Sequence, residues 1–170
     1  MIWINEIRAG VQLVIGKSKS TNGLTMRLTT RTNLAMRTLM FCAANPGRIV
    51  RKQEVAQTCH ASENHLAQVI HLLAQKGFLR TVRGRAGGLM LGRPAKDIRV
   101  GDVFRAFEAV LPFAECFAGD ANNCPLAGAC RLKCVLSEAL DAFYARLDQT
   151  SIADLMVDNA DLKDILKIAC

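Results

Sequence analysis

A chain of 170 residues with 51% apolar content is long enough to fill one core and too apolar for a disordered segment. No stretch approaches the roughly 18 consecutive apolar residues that a membrane helix needs. The short apolar patch Val11 to Ile15 lacks the basic start and small-residue cleavage site of an export signal, so a soluble cytoplasmic protein is expected.

The net charge of +7 divides unevenly: residues 1–100 carry 16 Lys/Arg against four Asp/Glu, giving +12, while residues 101–170 carry six against 11, giving −5. So sharp a division points to a nucleic-acid-binding module followed by a part with a different task. Residues 1–25 contain the one Trp, Trp3, and end in the linker-like KSKSTNGLT, so weak order is expected there and a structured region from Met26.

With Thr29 or Thr30 as N-cap, a first helix should run to Ala44 and stop at Asn45-Pro46-Gly47. Residues 52–58 have helical propensity, Cys59-His60-Ala61 breaks them, and Ser62 is a second start signal, which is helix-turn-helix spacing. In the helix that follows, Leu66, Val69, Ile70 and Leu73 fall at i, i+3, i+4 and i+7 and define the buried face. Asn64, Gln68 and His71 lie within about 60° of one another on the opposite side, with Gln75 further along. Such a face resembles any solvated helix surface, but Asn and Gln suit bidentate contact with adenine edges in the major groove. The short helix before it and the basic surroundings favour a recognition helix.

Two β-prone runs, Leu79 to Val82 and Leu89 to Leu91, flank Arg83-Gly84-Arg85-Ala86-Gly87-Gly88, a hairpin whose Arg83 and Arg85 can reach phosphates or a minor groove. The glycines lie between strands and no GK[ST] follows, which excludes a nucleotide phosphate loop. A mainly α winged helix-turn-helix is the fold expected.

Beyond Pro94, Ile98, Val100, Val103, Phe104 and Phe107 form a helical stripe to about Ala109, before Pro112. Residues 131–147 return to a long helix with Leu132, Val135, Leu136, Ala139, Leu140, Phe143 and Leu147 on one broad apolar face. That face exceeds the needs of one core and suits a two-fold dimer presenting two recognition helices to a palindromic operator. Ser151 should cap a turn through Met156, and Asp161 a last helix at 162–168. The boundaries expected are thus an extension at 1–25, a DNA-binding region at 26–99, a linking helix and cysteine loop at 100–130, and a dimerisation helix with C-terminal helices at 131–170.

Between these helices lie four of the seven cysteines, Cys116, Cys124, Cys130 and Cys134, within 19 residues rich in Gly, Asp and Asn. Soft thiolates gathered on a loop suit an iron–sulfur cluster or zinc; a disulfide pair or unconnected free thiols are the remaining readings. His60, His65 and His71 all fall in the helix-turn-helix, away from these thiols, which argues against a cysteine-nucleophile enzyme.

The segments MRLTTRTNLAMRTLMFCAA, SENHLAQVIHLLAQKGFL, TVRGRAGGLMLG, IRVGDVFRAFE and CPLAGACRL resemble the Rrf-two family of iron–sulfur winged-helix repressors over residues 26 to about 157. Asn64-His65-Leu66 and the block from Cys124 to Leu132 are most similar to its nitric-oxide-sensing branch. RTNLAMRTLMFCAAN and Ala114-Glu115-Cys116-Phe117 are also similar to its iron-responsive branch.

The resemblance implies a homodimer whose cluster, [4Fe–4S] rather than [2Fe–2S], is held by Cys116, Cys124 and Cys130. The DNA contacts expected are Thr30, Ser62, Asn64, His65, Gln68, His71, Arg83 and Arg85. In the nitric-oxide-sensing branch a carboxylate near the start of the first helix, from the other subunit, is the fourth ligand, and here that position is Asn33, whose neutral amide is a poorer iron donor. Cys134, one helical turn past Cys130, is the other candidate, although a buried helix cysteine is its plainer reading. The function expected is a repressor that releases DNA when nitric oxide attacks the cluster. An iron- or oxygen-responsive repressor and, in another class, an electron carrier are the alternatives, and a ferredoxin-like carrier would have no use for the basic half.

Overall fold

The computed structural model describes residues 28–108 and 112–167. The extension at 1–25 and the helix end at Ala109 lie outside them. In chain order the elements are α1 (Thr30–Ala44), α2 (Lys52–Thr58), α3 (Glu63–Gln75), β1 (Leu79–Val82), β2 (Gly88–Leu91), α4 (Val100–Glu108), α5 (Arg131–Asp148), α6 (Ile152–Met156) and α7 (Ala160–Leu166). Among the described residues no helix is long and apolar enough to cross a membrane.

Helix α1 is the hub, packing against α3, α4, α6, α7 and β2. Its buried residues, Thr32, Leu34, Ala35, Thr38, Leu39, Phe41 and Cys42, cover more than one stripe, as a helix enclosed on several sides requires. The buried Thr38 hydroxyl donates to the Leu34 carbonyl at 2.7 Å, so its burial leaves no unpaired polar group. On α3, Leu66, Val69, Ile70 and Leu73 are all buried, as their spacing predicts.

Both helices of the helix-turn-helix close in the same way. After α2, His60 N–H donates to Gln57 O and Ala61 N–H to Ala56 O; after α3, Gly77 N–H donates to Ala74 O and Phe78 N–H to Leu73 O. This is the Schellman pattern, which needs a left-handed residue: Gly77 (φ 72) supplies it freely, and His60 (φ 49) adopts it without that freedom. The hairpin pairs Leu79 with Leu91 and Val82 with Gly88, one residue longer than predicted because Gly88 joins the ladder. Val50 adds a bridge to Leu89, and a Cβ on Gly88 would lie 2.4 Å from the Val50 carbonyl oxygen, so only glycine fits that approach.

A carboxylate 79 residues away closes the start of α1. Glu108, the last residue of α4, accepts from the Thr29 backbone N–H at 3.0 Å, from the Thr29 hydroxyl at 3.0 Å and from the buried Thr32 hydroxyl. A negative charge at a helix N-terminus meets both the free N–H groups and the macrodipole. Burial alone would raise the Glu108 carboxyl, but the bonds from Thr32 and Thr29 outweigh it and hold it below the ordinary glutamate range. A carboxylate with a lowered folded pKa stabilises above its unfolded pKa, and this stabilisation is lost as pH falls through the folded value. Glu108→Gln is therefore expected to cost about 1–2 kcal/mol near neutrality and progressively less as pH falls through the lowered folded value. Urea titrations across that range test it; a constant difference would mean that hydroxyl bonding, not charge, closes the helix.

Two expectations in the C-terminal half need correction. The last helix is capped by Asn159, whose Oδ1 accepts from Leu162 N–H at 3.1 Å, and it spans Ala160–Leu166 rather than starting after Asp161. Cys134 is exposed rather than buried. The broad face of α5 is divided: Leu136, Leu140, Phe143 and Leu147 are half-buried, whereas Leu132, Val135 and Ala139 are exposed, and no residue of α5 is fully buried.

The α4–α5 contact accounts for the inward half. Phe104 and Phe143 have ring centroids 6.1 Å apart. Arg105 makes paired bonds of 2.7 and 2.6 Å to Asp148 and lies over the Tyr144 ring at 4.6 Å. The buried Gly101 gives Asp148 the room to approach.

Candidate nucleic-acid interface and cysteine loop

The outward side of α3 is as the 3.6-residue period requires: Asn64, Gln68, His71 and Gln75 are all exposed. Among the described residues none of these four has a hydrogen bond or ion pair within the chain, so their donors and acceptors are available. Ser62 is already engaged, its hydroxyl accepting from His65 N–H at 3.2 Å as the N-cap of α3. In the hairpin, Arg83 and Arg85 are exposed and without partners among the described residues, and Gly87 N–H donates to Gly84 O at 2.9 Å to close the tip.

Two concave surfaces flank this face. A cleft of about 300 Å³ between the start of α1 and the α2–α3 turn brings together Thr30, Asn33, Arg37, His60, Ser62 and His65. Its floor is tied by Arg37, whose Nη1 donates to the Cys59 carbonyl at 3.3 Å. The second is an open groove where Arg31 of α1 stands beside Gln68, His71 and Gln75. Sequence reasoning missed Arg31. It lies two residues from Asn33 in the chain, yet only the packing of α1 on α3 carries it to the recognition face, and nothing in its local pattern reports that.

The cysteines fall into two populations. Cys42 and Cys59 are buried in the helical core, where burial pushes the Cys42 thiol up to about 12 and raises Cys59 against the opposing pull of Arg37. Core thiols of this kind are unreactive. Cys116, Cys124 and Cys130 are half-buried free thiols on the segment between α4 and α5. Cys116 sits in a 3₁₀ turn at 115–117, Cys124 N–H donates to Asn122 Oδ1 at 3.0 Å, and Cys130 is the N-cap residue of α5.

Among the described residues, the backbone bonds of this segment each close a four-residue turn, as from Phe117 N–H to Ala114 O and from Ala127 N–H to Cys124 O. Its hydrogen bonding is therefore local, with no ladder joining one turn to the next. The three thiols are of the right chemistry and lie on one loop, but no three metal-binding side chains are gathered at a single point among the described residues. Asn33 belongs in one chain to the α1 cleft, and Cys134 lies exposed on the first turn of α5.

A helix-turn-helix with a two-stranded wing, joined to a long helix by a cysteine loop, defines a winged-helix regulator rather than an enzyme. Residues 28–158 match the family Rrf2, described as "Iron-dependent Transcriptional regulator". The chain belongs to the Rrf2 family of transcriptional regulators. It is 40% identical over 144 residues to the HTH-type transcriptional regulator NsrR of Bacillus subtilis, covering 84% of this chain and 99% of that protein. With protein aau3 of Rhizobium meliloti it shares 42% identity over 131 residues, 77% of this chain and 85% of that one. Among solved structures it is similar to T. potens IscR, with a TM-score of 0.63 and 25% identity, over 85% of this chain and 93% of the other. CymR of B. subtilis shares the fold, with a TM-score of 0.59 over 77% of this chain and 96% of the other.

Proposed function

We propose that this protein is a homodimeric repressor that binds a palindromic operator through α3 and the wing, and that it senses nitric oxide through an iron–sulfur cluster on Cys116, Cys124 and Cys130. The observation that carries the reading is the placement of three half-buried thiols on a locally bonded loop that leads directly into α5. The similarity to NsrR over almost the whole length of that protein supports nitric oxide as the signal.

A cluster, when bound, supplies iron to which a small diatomic ligand can attach. The chain does the rest. Cys116, Cys124 and Cys130 would hold the cluster, tying together turns that among the described residues have no backbone bonds between them, and would so set how the loop enters α5. Helix α4 in turn holds the N-terminus of α1 through Glu108, and α1 packs on α3. Helix α4, which precedes the loop in the chain, is thus packed through α1 to the DNA face. Thr30, Ser62, Asn64, His65, Gln68 and His71 are the contacts proposed for α1 and α3, and Arg83 and Arg85 those for the wing.

The test is anaerobic purification, iron and sulfide analysis, and titration with nitric oxide while operator binding is followed. Bleaching of the cluster absorbance is expected to run parallel with release of DNA. A colourless protein with one zinc per chain would remove the sensor reading, and release on iron chelation but not on nitric oxide would favour the iron-responsive alternative.

A further inference from the structure

The outward face of α3 carries no lysine or arginine. Asn64, Gln68 and Gln75 are neutral, and the acid nearest its start, Glu63, is paired with Lys52 at 2.9 Å. Beside that face stands Arg31, the second residue of α1, exposed and lining the same open groove as Gln68, His71 and Gln75. Arg31 has no hydrogen bond or ion pair among the described residues, whereas Arg48, Lys52 and Arg105 each have a carboxylate within 3.0 Å. An arginine left unpaired on a neutral face is placed for an anion that comes from outside the chain.

We propose that Arg31 is a phosphate-binding residue of the DNA interface, a contact made from α1 that sets how α3 sits in the groove. This rests on α3 being the recognition helix. The major groove is about 12 Å wide, so a helix lying in it brings residues on its flank to the phosphates along the rim, not to base edges. Arg31 is on that flank. Its guanidinium fits two phosphate oxygens at once, and each such contact releases counterions and steepens the salt dependence of binding.

The experiment uses the full-length protein purified anaerobically and two probes: a duplex selected by the wild type from a random library, and a random-sequence duplex of equal length. Affinities are measured across a salt series for wild type, Arg31→Ala, Arg31→Lys and Gln68→Ala. Arg31→Ala is expected to weaken both duplexes by a similar factor and to reduce the salt slope by about one unit per chain. Arg31→Lys should keep most of the slope. Gln68→Ala should lose preference for the selected duplex by roughly 5- to 150-fold with the slope unchanged.

Arg31 is exposed and has no side-chain partner among the described residues, so its variants should melt with the wild type. If Arg31→Ala leaves slope and random-duplex affinity unchanged while Gln68→Ala loses its preference, Arg31 is no phosphate contact and the recognition helix stands. A loss confined to the selected duplex would mean that Arg31 reads a base, which overturns the proposal equally. If Gln68→Ala loses nothing, the reading of α3 fails and this proposal fails with it.

Discussion

Val135→Asp is expected to convert the proposed dimer into folded monomers. In the single chain Val135 is 59% exposed and Leu132 60% exposed, so a carboxylate at position 135 meets water and costs the monomer only a few tenths of a kcal/mol in helix propensity. Leu132, Val135, Ala139 and Ala142 recur at i, i+3, i+7 and i+10, all exposed, in the pattern of a helix seam that packs against a second helix. Burying a carboxylate in such a seam without a partner costs about 3–5 kcal/mol, and a two-fold interface counts it twice, so a loss of at least about 10⁴-fold in dimer affinity follows.

Sedimentation velocity gives the readout, with thermal melts to show that the fold persists. Phe143→Asp is the informative contrast. That ring packs on Phe104 within the chain, so its replacement should lower the melting temperature rather than merely separate subunits. A Val135→Asp protein that still sediments as a dimer would place the interface on another face.

The second large effect concerns the loop. Cys116→Ser, Cys124→Ser and Cys130→Ser should each abolish the proposed cluster, since a serine hydroxyl would replace one of the three soft thiolates proposed to hold it. Cys134→Ser should retain it, because the exposed Cys134 is not needed to complete the set of three. The fourth donor is where Asn33 enters: it lines a cleft on α1, and a neutral amide contributes no charge toward holding iron. Asn33→Asp is therefore expected to slow chelator-induced decay of the cluster, with Asn33→Ala close to wild type. Anaerobic absorbance and iron content per chain distinguish these proteins without any DNA assay. Loss of the cluster in Cys134→Ser, with no effect of either Asn33 change, would make Cys134 the fourth ligand.

Much of the fold is written in short-range pattern. The period of Leu66, Val69, Ile70 and Leu73 fixes which side of α3 is buried, and hence that Asn64, Gln68 and His71 face outward. Thr29, Ser62 and Ser151 each mark a helix start through a hydroxyl that accepts a nearby backbone N–H. The basic hairpin and the clustered thiols are equally local, because turn chemistry and donor type depend on residues only a few positions apart. Where two local signals compete, the sequence is less decisive: Asn159 and Asp161 are both acceptable caps, and geometry at the end of α6 selects the first.

Tertiary structure decided what depends on how helices cross. The apolar face of α5 is broad, and only the seating of Phe143 on Phe104 and of Asp148 on Arg105 shows which half α4 takes and which half stays exposed in the single chain. Glu108 closing α1 across 79 residues, and Arg31 standing beside Gln68, arise from the same cause. A side chain's neighbours in sequence are set by helical period, but its neighbours across a helix–helix contact are set by the angle and register at which whole surfaces pack, which no single segment encodes.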